Sequence, residues 1–226
     1  MNTLRNRLTA ATFAAGLLML SSVTSAAMVT FGFEKITNNN VEDLSSQLSL
    51  TLWDSTEANS SFSLSLASNE ILITVQNSVG IASNVSEVYI DDGLLMQPPQ
   101  VLNSLSGFTS FSSGPSGTSP GNLPGGNSIG FQATDLFSAD VDPGPPSRGV
   151  DQSVDILGLV YGLGSFPDFN AVVDAVNTGS MRFGYHVRSI GVAGGSDSYA
   201  SVIPIPGALW LFASSAALLI GARRIK

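Results

Sequence analysis

The sequence predicts a mainly β fold: an antiparallel β-sandwich, jelly-roll-like, with one short helix, set between two apolar tails. Three observations predict it. Apolar residues recur at every second position through much of the interior, turn-forming clusters separate several of these runs, and only one stretch carries the helical period.

The elements follow in order. "VTFGF" puts Val29, Phe31 and Phe33 on one face of a strand, and "QLSLTLW" does the same with Leu48, Leu50 and Leu52. "SFSLSLA" repeats the pattern with Phe62, Leu64 and Leu66, and "EILITVQN" with Ile71, Ile73 and Val75. Side chains alternate across a strand, so this period marks strands with one buried face. "TNNN" and "STEANSS" read as turns between them. Further strands are expected at "EVYIDDG", "SIGFQA", "DILGLVY" and "MRFGYHV". In "SFPDFNAVVDAVNTG", Phe169, Val172, Val173 and Val176 recur at helical spacing, with Ser165 as N-cap, Pro167 in the first turn and Gly179 as the stop. The Ser/Gly/Pro-rich stretch 104–130 reads as a long surface loop within one exported domain, 28–201.

The charge is unevenly placed. All 17 acidic residues lie between Glu34 and Asp197, whereas five of the nine basic ones sit in the tails. Region 28–201 therefore carries four cations against seventeen anions, a net −13. Such a surface repels phosphate backbones and excludes nucleic acid as a partner. The absence of cysteine removes disulfides, thiolate metal sites and a thiol nucleophile.

The tails carry addresses. Residues 1–27 have the parts of a signal peptide: Arg5 and Arg7, an apolar run from Leu8 to Leu20, and a small-residue cleavage context at Ala26 and Ala27. At the other end, 207–222 is apolar and uncharged. As a helix it would span about 24 Å, at ~1.5 Å per residue, as a short transmembrane helix. Trp210 suits its interface, and Arg223, Arg224 and Lys226 hold its end on the cytoplasmic side. Pro204 and Pro206 stiffen the entry.

Pro-x-Pro, an apolar run beginning "GALWLF" and a terminal "RRIK" resemble a PEP-CTERM sorting signal, over residues 202–226. The resemblance implies export through the Sec machinery, cleavage by signal peptidase and transient retention in the inner membrane of a Gram-negative bacterium. It further implies processing by an exosortase and delivery to the cell surface or extracellular matrix. Pro204 and Pro206 would be the recognition prolines and Arg223, Arg224 and Lys226 the retention cluster. Ile205 departs from the acidic residue that names the motif, which bears on the class of processing enzyme.

Little in the exported domain points to turnover. His186 is the one histidine; in "MRFGYHV" it falls on the outer face with Arg182 and Arg188, where a solvated strand face is expected. There is no Gly-x-Ser-x-Gly motif, and one histidine excludes multi-histidine zinc sites. No cofactor is expected. Calcium is the candidate metal, because Asp91, Asp92, Asp140 and Asp142 place hard oxygens on loops or strand ends, although none follows the EF-hand pattern. The expected function is a non-catalytic surface or matrix protein, structural or adhesive, with extracellular polysaccharide as a partner. The alternative is a carbohydrate-binding module or polysaccharide-active enzyme on the same route, for which exposed Trp53, Tyr89 and Tyr199 would be the sugar platform.

Overall fold

The computed structural model describes residues 27–91, 96, 99–106, 111–113, 121–139, 149–152 and 155–202. The leader through Ala26 and the tail from residue 203 onward, including the segment 207–222, lie outside them.

The chain folds as a mainly antiparallel β structure. Its strands are β1 (Met28–Lys35), β2 (Leu48–Asp54), β3 (Glu70–Asn77), β4 (Asn84–Asp91), β5 (Gln100–Ser106), β6 (Phe111–Ser113), β7 (Asp135–Ala139), β8 (Val150–Asp151), β9 (Ile156–Gly162), β10 (Arg182–Ile190) and β11 (Gly195–Ser201). They join in the order β5-β9-β3-β2-β1-β11-β10-β4-β7-β6, with β8 pairing β4 off that path. The path curls back on itself until its ends, β5 and β6, touch, which makes a nearly closed barrel. Hydrogen bonds cross its interior: Tyr185 Oη of β10 donates to Ser49 O of β2 at 3.0 Å, and Tyr161 Oη of β9 to Asp135 Oδ2 of β7 at 3.1 Å.

The period-two residues fill this interior. Phe31, Phe33, Leu48, Leu50, Leu52, Ile71, Ile73 and Val75 join Val88, Ile90, Leu157, Leu159, Phe183 and Tyr185 in one core, with Phe33 and Tyr185 stacked at 3.9 Å. Burial at ~25 cal/mol per Å² of apolar surface makes this cluster the main source of stability. One end of the barrel is closed by α2 (Phe169–Asn177), whose Val172, Ala175 and Val176 enter the same core. Its N-cap is Asp168, which accepts from Ala171 N, in place of the expected Ser165; the carboxylate lies three residues before that amide, within reach of the first turn.

Three expected elements differ. "STEANSS" is not a turn but part of a second helix, α1 (Ser55–Phe62), because Asp54 accepts from Glu57 N and caps its first turn. "SFSLSLA" is not a strand: α1 ends at Ser63, which is left-handed (φ 54°), and Asn59 then clamps Leu66 through both its N and its O. Leu64, Leu66 and Phe62 instead lie over the outer face of β3 and β9, against Ala58, Leu72 and Val160. "SIGFQA" is also not a strand. A 3-10 turn at Gly126–Ile129 opens it, and the strand follows at Asp135–Ala139.

Part of the 104–130 stretch is built into the fold: β5 ends and β6 lies within it, and 121–133 straps the outer sheet face. Leu123 and Phe131 pack there on Tyr89, Leu136 and Ala200. Leu123 occupies the space over Gly184, where a Cβ would come within 2.5 Å of its Cδ2.

Candidate functional site

Strand directions sort the loops into two ends. At the α2 end, β1 begins and β11 finishes: Met28 faces Trp53 in β2, Ser201 faces Phe33, and Val202 continues toward Met28. The first and last described residues, Ala27 and Val202, thus lie at the same end. The opposite end carries the loops 36–47, 78–83 and 191–194, which touch one another: Gly191 N donates to Ala82 O at 2.7 Å, and a Cβ on Gly191 would lie 3.0 Å from Glu42 Oε1. Each presents one large apolar side chain to solvent, namely Val41 (96 % exposed), Val79 (84 %) and Val192 (107 %). Single exposed valines are ordinary. Three on contiguous loops at one end form the candidate site.

Buried polar networks hold these loops in shape. Asp197, at the start of β11, has a fully buried carboxylate, and Lys35 Nζ lies 3.0 Å from its Oδ2. Its oxygens accept from Thr37 Oγ1 and Asn39 N at 2.8 Å each, from Asn40 N at 3.0 Å and from Asn40 Nδ2 at 3.2 Å. Lys35 also donates to Asn40 O and Glu42 O, so the turn "TNNN" wraps an ion pair. Burial by itself raises the Asp197 pKa, but the hydrogen bonds from Asn39 N, Thr37, Lys35 and Asn40 outweigh it and hold the carboxyl below its usual value. The second loop hangs on Gln47, whose Nε2 donates to Asn77 Oδ1 at 2.8 Å and to Ile81 O at 3.0 Å, while its Oε1 accepts from Ile81 N. Asn77 Nδ2 carries the network on to Ser83 and Val150 O. Networks of this kind specify one loop shape. The site can offer rigid backbone and small apolar tips.

The histidine lies elsewhere and is not on a solvated face. His186 Nδ1 contacts Glu87 Oε2 across β10 and β4, and Arg188 Nη2 donates to the other oxygen at 2.6 Å. Glu87 is 1 % exposed and His186 12 %. The expectation failed because the outer face of this part of the sheet is covered as well as the inner. On its other side His186 faces Ser198 of β11, whose Oγ is buried with no hydrogen-bond partner among the described residues. Carboxylate, imidazole and hydroxyl in a row is the order of a nucleophile triad. Yet Ser198 is only 1 % exposed and makes no hydrogen bond to the imidazole, so the nucleophile is neither activated nor reachable. Glu87, His186 and Arg188 instead form a charge network that locks β4 to β10.

The proposed sugar platform is not assembled. Tyr89 lies under the strap and Tyr199 inside the barrel, both fully buried. Burial pushes the Tyr199 phenol up to about 12. Trp53 is half-buried against Phe62 and donates from Nε1 to Thr74 Oγ1 at 2.9 Å. Sequence alternation did not separate these aromatics from exposed ones because both sheet faces are covered.

Of the acidic residues considered for calcium, Asp91 holds the strap: its Oδ2 takes Arg182 Nη2 at 2.5 Å and Gln132 N at 3.1 Å. Arg182 also donates to Ile129 O and Gly130 O and lies over the Phe131 ring. Asp92, Asp140 and Asp142 lie outside the described residues, as do Ala26, Pro204, Pro206, Trp210, Arg223, Arg224 and Lys226. Ala27 is described, and its N donates to Asp54 Oδ2 at 2.8 Å. Among the described residues no three His, Cys, Asp or Glu side chains gather as metal ligands, and no helix is long and apolar enough to cross a membrane. An open cleft of about 410 Å³ lies on the outer face between Glu34, Ile129, Arg182 and Val202. Because Arg182 is already engaged, the cleft offers Glu34 and apolar walls in place of a free cation. Comparison with protein-family models, curated proteins and solved structures finds no match for this chain.

Proposed function

We propose that the protein is exported, held in the inner membrane by its C-terminal segment, and processed to serve as a non-catalytic structural or adhesive component of the cell surface or extracellular matrix. The observation that carries this reading is the ordered tail: Pro204 and Pro206, the apolar run 207–222, then Arg223, Arg224 and Lys226, paired with a leader ending near Ala26 and Ala27. In this reading exosortase is the processing partner and extracellular polysaccharide the surrounding matrix.

The fold supports the reading in two ways. The described residues begin and finish at the α2 end, so a domain tethered by its tail would present the opposite end, with Val41, Val79 and Val192, away from the membrane. The histidine and its carboxylate partner Glu87 are paired with each other inside the sheet and do not line a cleft. We read the curled sheet as a jelly-roll-like sandwich whose two halves share one core, the arrangement expected of a rigid display module.

Fractionation of a tagged full-length chain tests the proposal. Neutral residues at 223, 224 and 226 should release the protein early into periplasm or medium, while wild type is retained. Identical distributions, or an intact Met1 on surface-exposed protein, would overturn it.

A further inference from the structure

The sequence leaves two bonds open to signal peptidase, because small residues stand first and third before each cut. They are Ala26 and Thr24 for the bond between residues 26 and 27, and Ala27 and Ser25 for the next. The fold distinguishes the two at Asp54, the last residue of β2. Asp54 N donates to Ala27 O at 2.9 Å, and Ala27 N donates to Asp54 Oδ2 at 2.8 Å. Both backbone groups of Ala27 are thus engaged by one residue, one step beyond the pair Met28/Trp53. In an antiparallel ladder such an amide goes to the facing carbonyl; here it goes to a carboxylate. The other oxygen of that carboxylate, Oδ1, accepts from Glu57 N at 2.7 Å and caps α1.

A carboxylate holds an ammonium more strongly than an amide, and hydrolysis of the bond between residues 26 and 27 supplies one. Water adds its hydroxyl to the Ala26 carbonyl carbon, the C–N bond breaks, and Ala27 N becomes an amine. An α-amine has a pKa of about 7.7–8.0, so it is mostly protonated at neutral pH. Its bond to Asp54 Oδ2 is then charge-assisted, and such bonds are roughly twice as strong as neutral ones. A cut one residue later would remove Ala27 together with both bonds. The new ammonium would then sit on Met28. Pairs that exchange hydrogen bonds alternate with pairs that do not, so Met28 N, opposite Trp53, points away from β2 and from Asp54. We infer that the mature chain begins at Ala27 and that Asp54 is the acceptor for its new ammonium. One carboxylate then ties the N-terminus, the end of β2 and the first turn of α1 together. The inference rests on the export proposed above, and the geometry at Asp54 selects the bond that is cut.

The tagged full chain, exported in a Gram-negative host and purified in detergent micelles, tests both parts. N-terminal sequencing should start at Ala27. A start at Met28 overturns the inference and leaves export standing, whereas an intact Met1 overturns export and the inference with it. The α-amine is then titrated through the pH dependence of its acetylation by acetic anhydride, read by mass spectrometry on the N-terminal peptide. Wild type is compared with Asp54→Asn, which keeps an acceptor for Glu57 N and a good helix cap. The wild-type amine should hold its proton about threefold more tightly, as befits a partly exposed ion pair. Equal titration in the two chains overturns the ion pair, because a role for Asp54 in capping α1 alone would not move the amine.

Discussion

Asp197→Asn should destabilise the fold by about 3–5 kcal/mol, the cost of breaking a buried ion pair from one side. An amide keeps the shape of the carboxylate and one acceptor. Its new NH2 would meet Lys35 Nζ, Asn40 N and Asn40 Nδ2, all donors, wherever it replaces Oδ2. Turned over, it would meet Thr37 Oγ1 and Asn39 N. Hydrogen bonds to a charged group contribute ~1.5–3 kcal/mol each. They do not add here, because Lys35 keeps Asn40 O and Glu42 O as acceptors. At ~2–4 °C per kcal/mol for a chain of this size, Tm should fall by roughly 6–20 °C. The pH dependence has a definite sign. The folded pKa lies below the ordinary 3.8, so the stabilisation is complete above 3.8 and is lost as pH falls through the folded value. Thermal unfolding of the full chain in detergent micelles, followed by circular dichroism at pH 7 and pH 3, measures both. A loss under ~0.5 kcal/mol at pH 7 (against the ~3–5 expected for a buried pair), or a gap that widens on acidification, would refute the reasoning.

The remaining predictions concern the sheet faces and the cap. Leu123→Ala should cost about 2–5 kcal/mol by emptying the space over Gly184, and limited proteolysis should then cut within 121–133; an unchanged digest would show that the strap is held elsewhere. Glu87→Ala should cost about 2–3 kcal/mol, below the range for a fully enclosed pair because Arg188 reaches water; urea unfolding checks it. Asp168→Ala removes the bond to Ala171 N and should cost about 1 kcal/mol, read the same way.

How much of this was legible in the sequence depends on the kind of signal. The strands "QLSLTLW", "EILITVQN", "DILGLVY" and "MRFGYHV" are where period two places them, because an inner face of Leu, Ile, Val and Phe leaves a pattern that no turn residue interrupts. The helix at Phe169–Asn177 was legible for the same reason, at a different period. "SFSLSLA" shows the limit: alternation records which side chains are buried, not whether the backbone ladders. Leu64 and Leu66 meet their apolar requirement by lying across β3 and β9. Strands β5, β6, β7, β8 and β11 are not legible because Ser, Gly and Asp dilute or shorten their pattern, and their pairing comes from neighbours far along the chain.

The candidate site divides similarly. The addresses proposed for residues 1–27 and 202–226 rest on composition and order along the chain alone, which need no partner strand. The loop end could not be read that way. Val41, Val79 and Val192 are scattered in sequence, and only the strand directions bring their loops to one end. Glu87 and His186, ninety-nine positions apart, meet through the register of β4 and β10, and Asp197 reaches Lys35 through that of β1 and β11. A single strand's period says that one of its faces is buried. Whether the other face meets water, a strap or a buried carboxylate depends on what the rest of the chain lays over it, and that was decided only when the sheet closed.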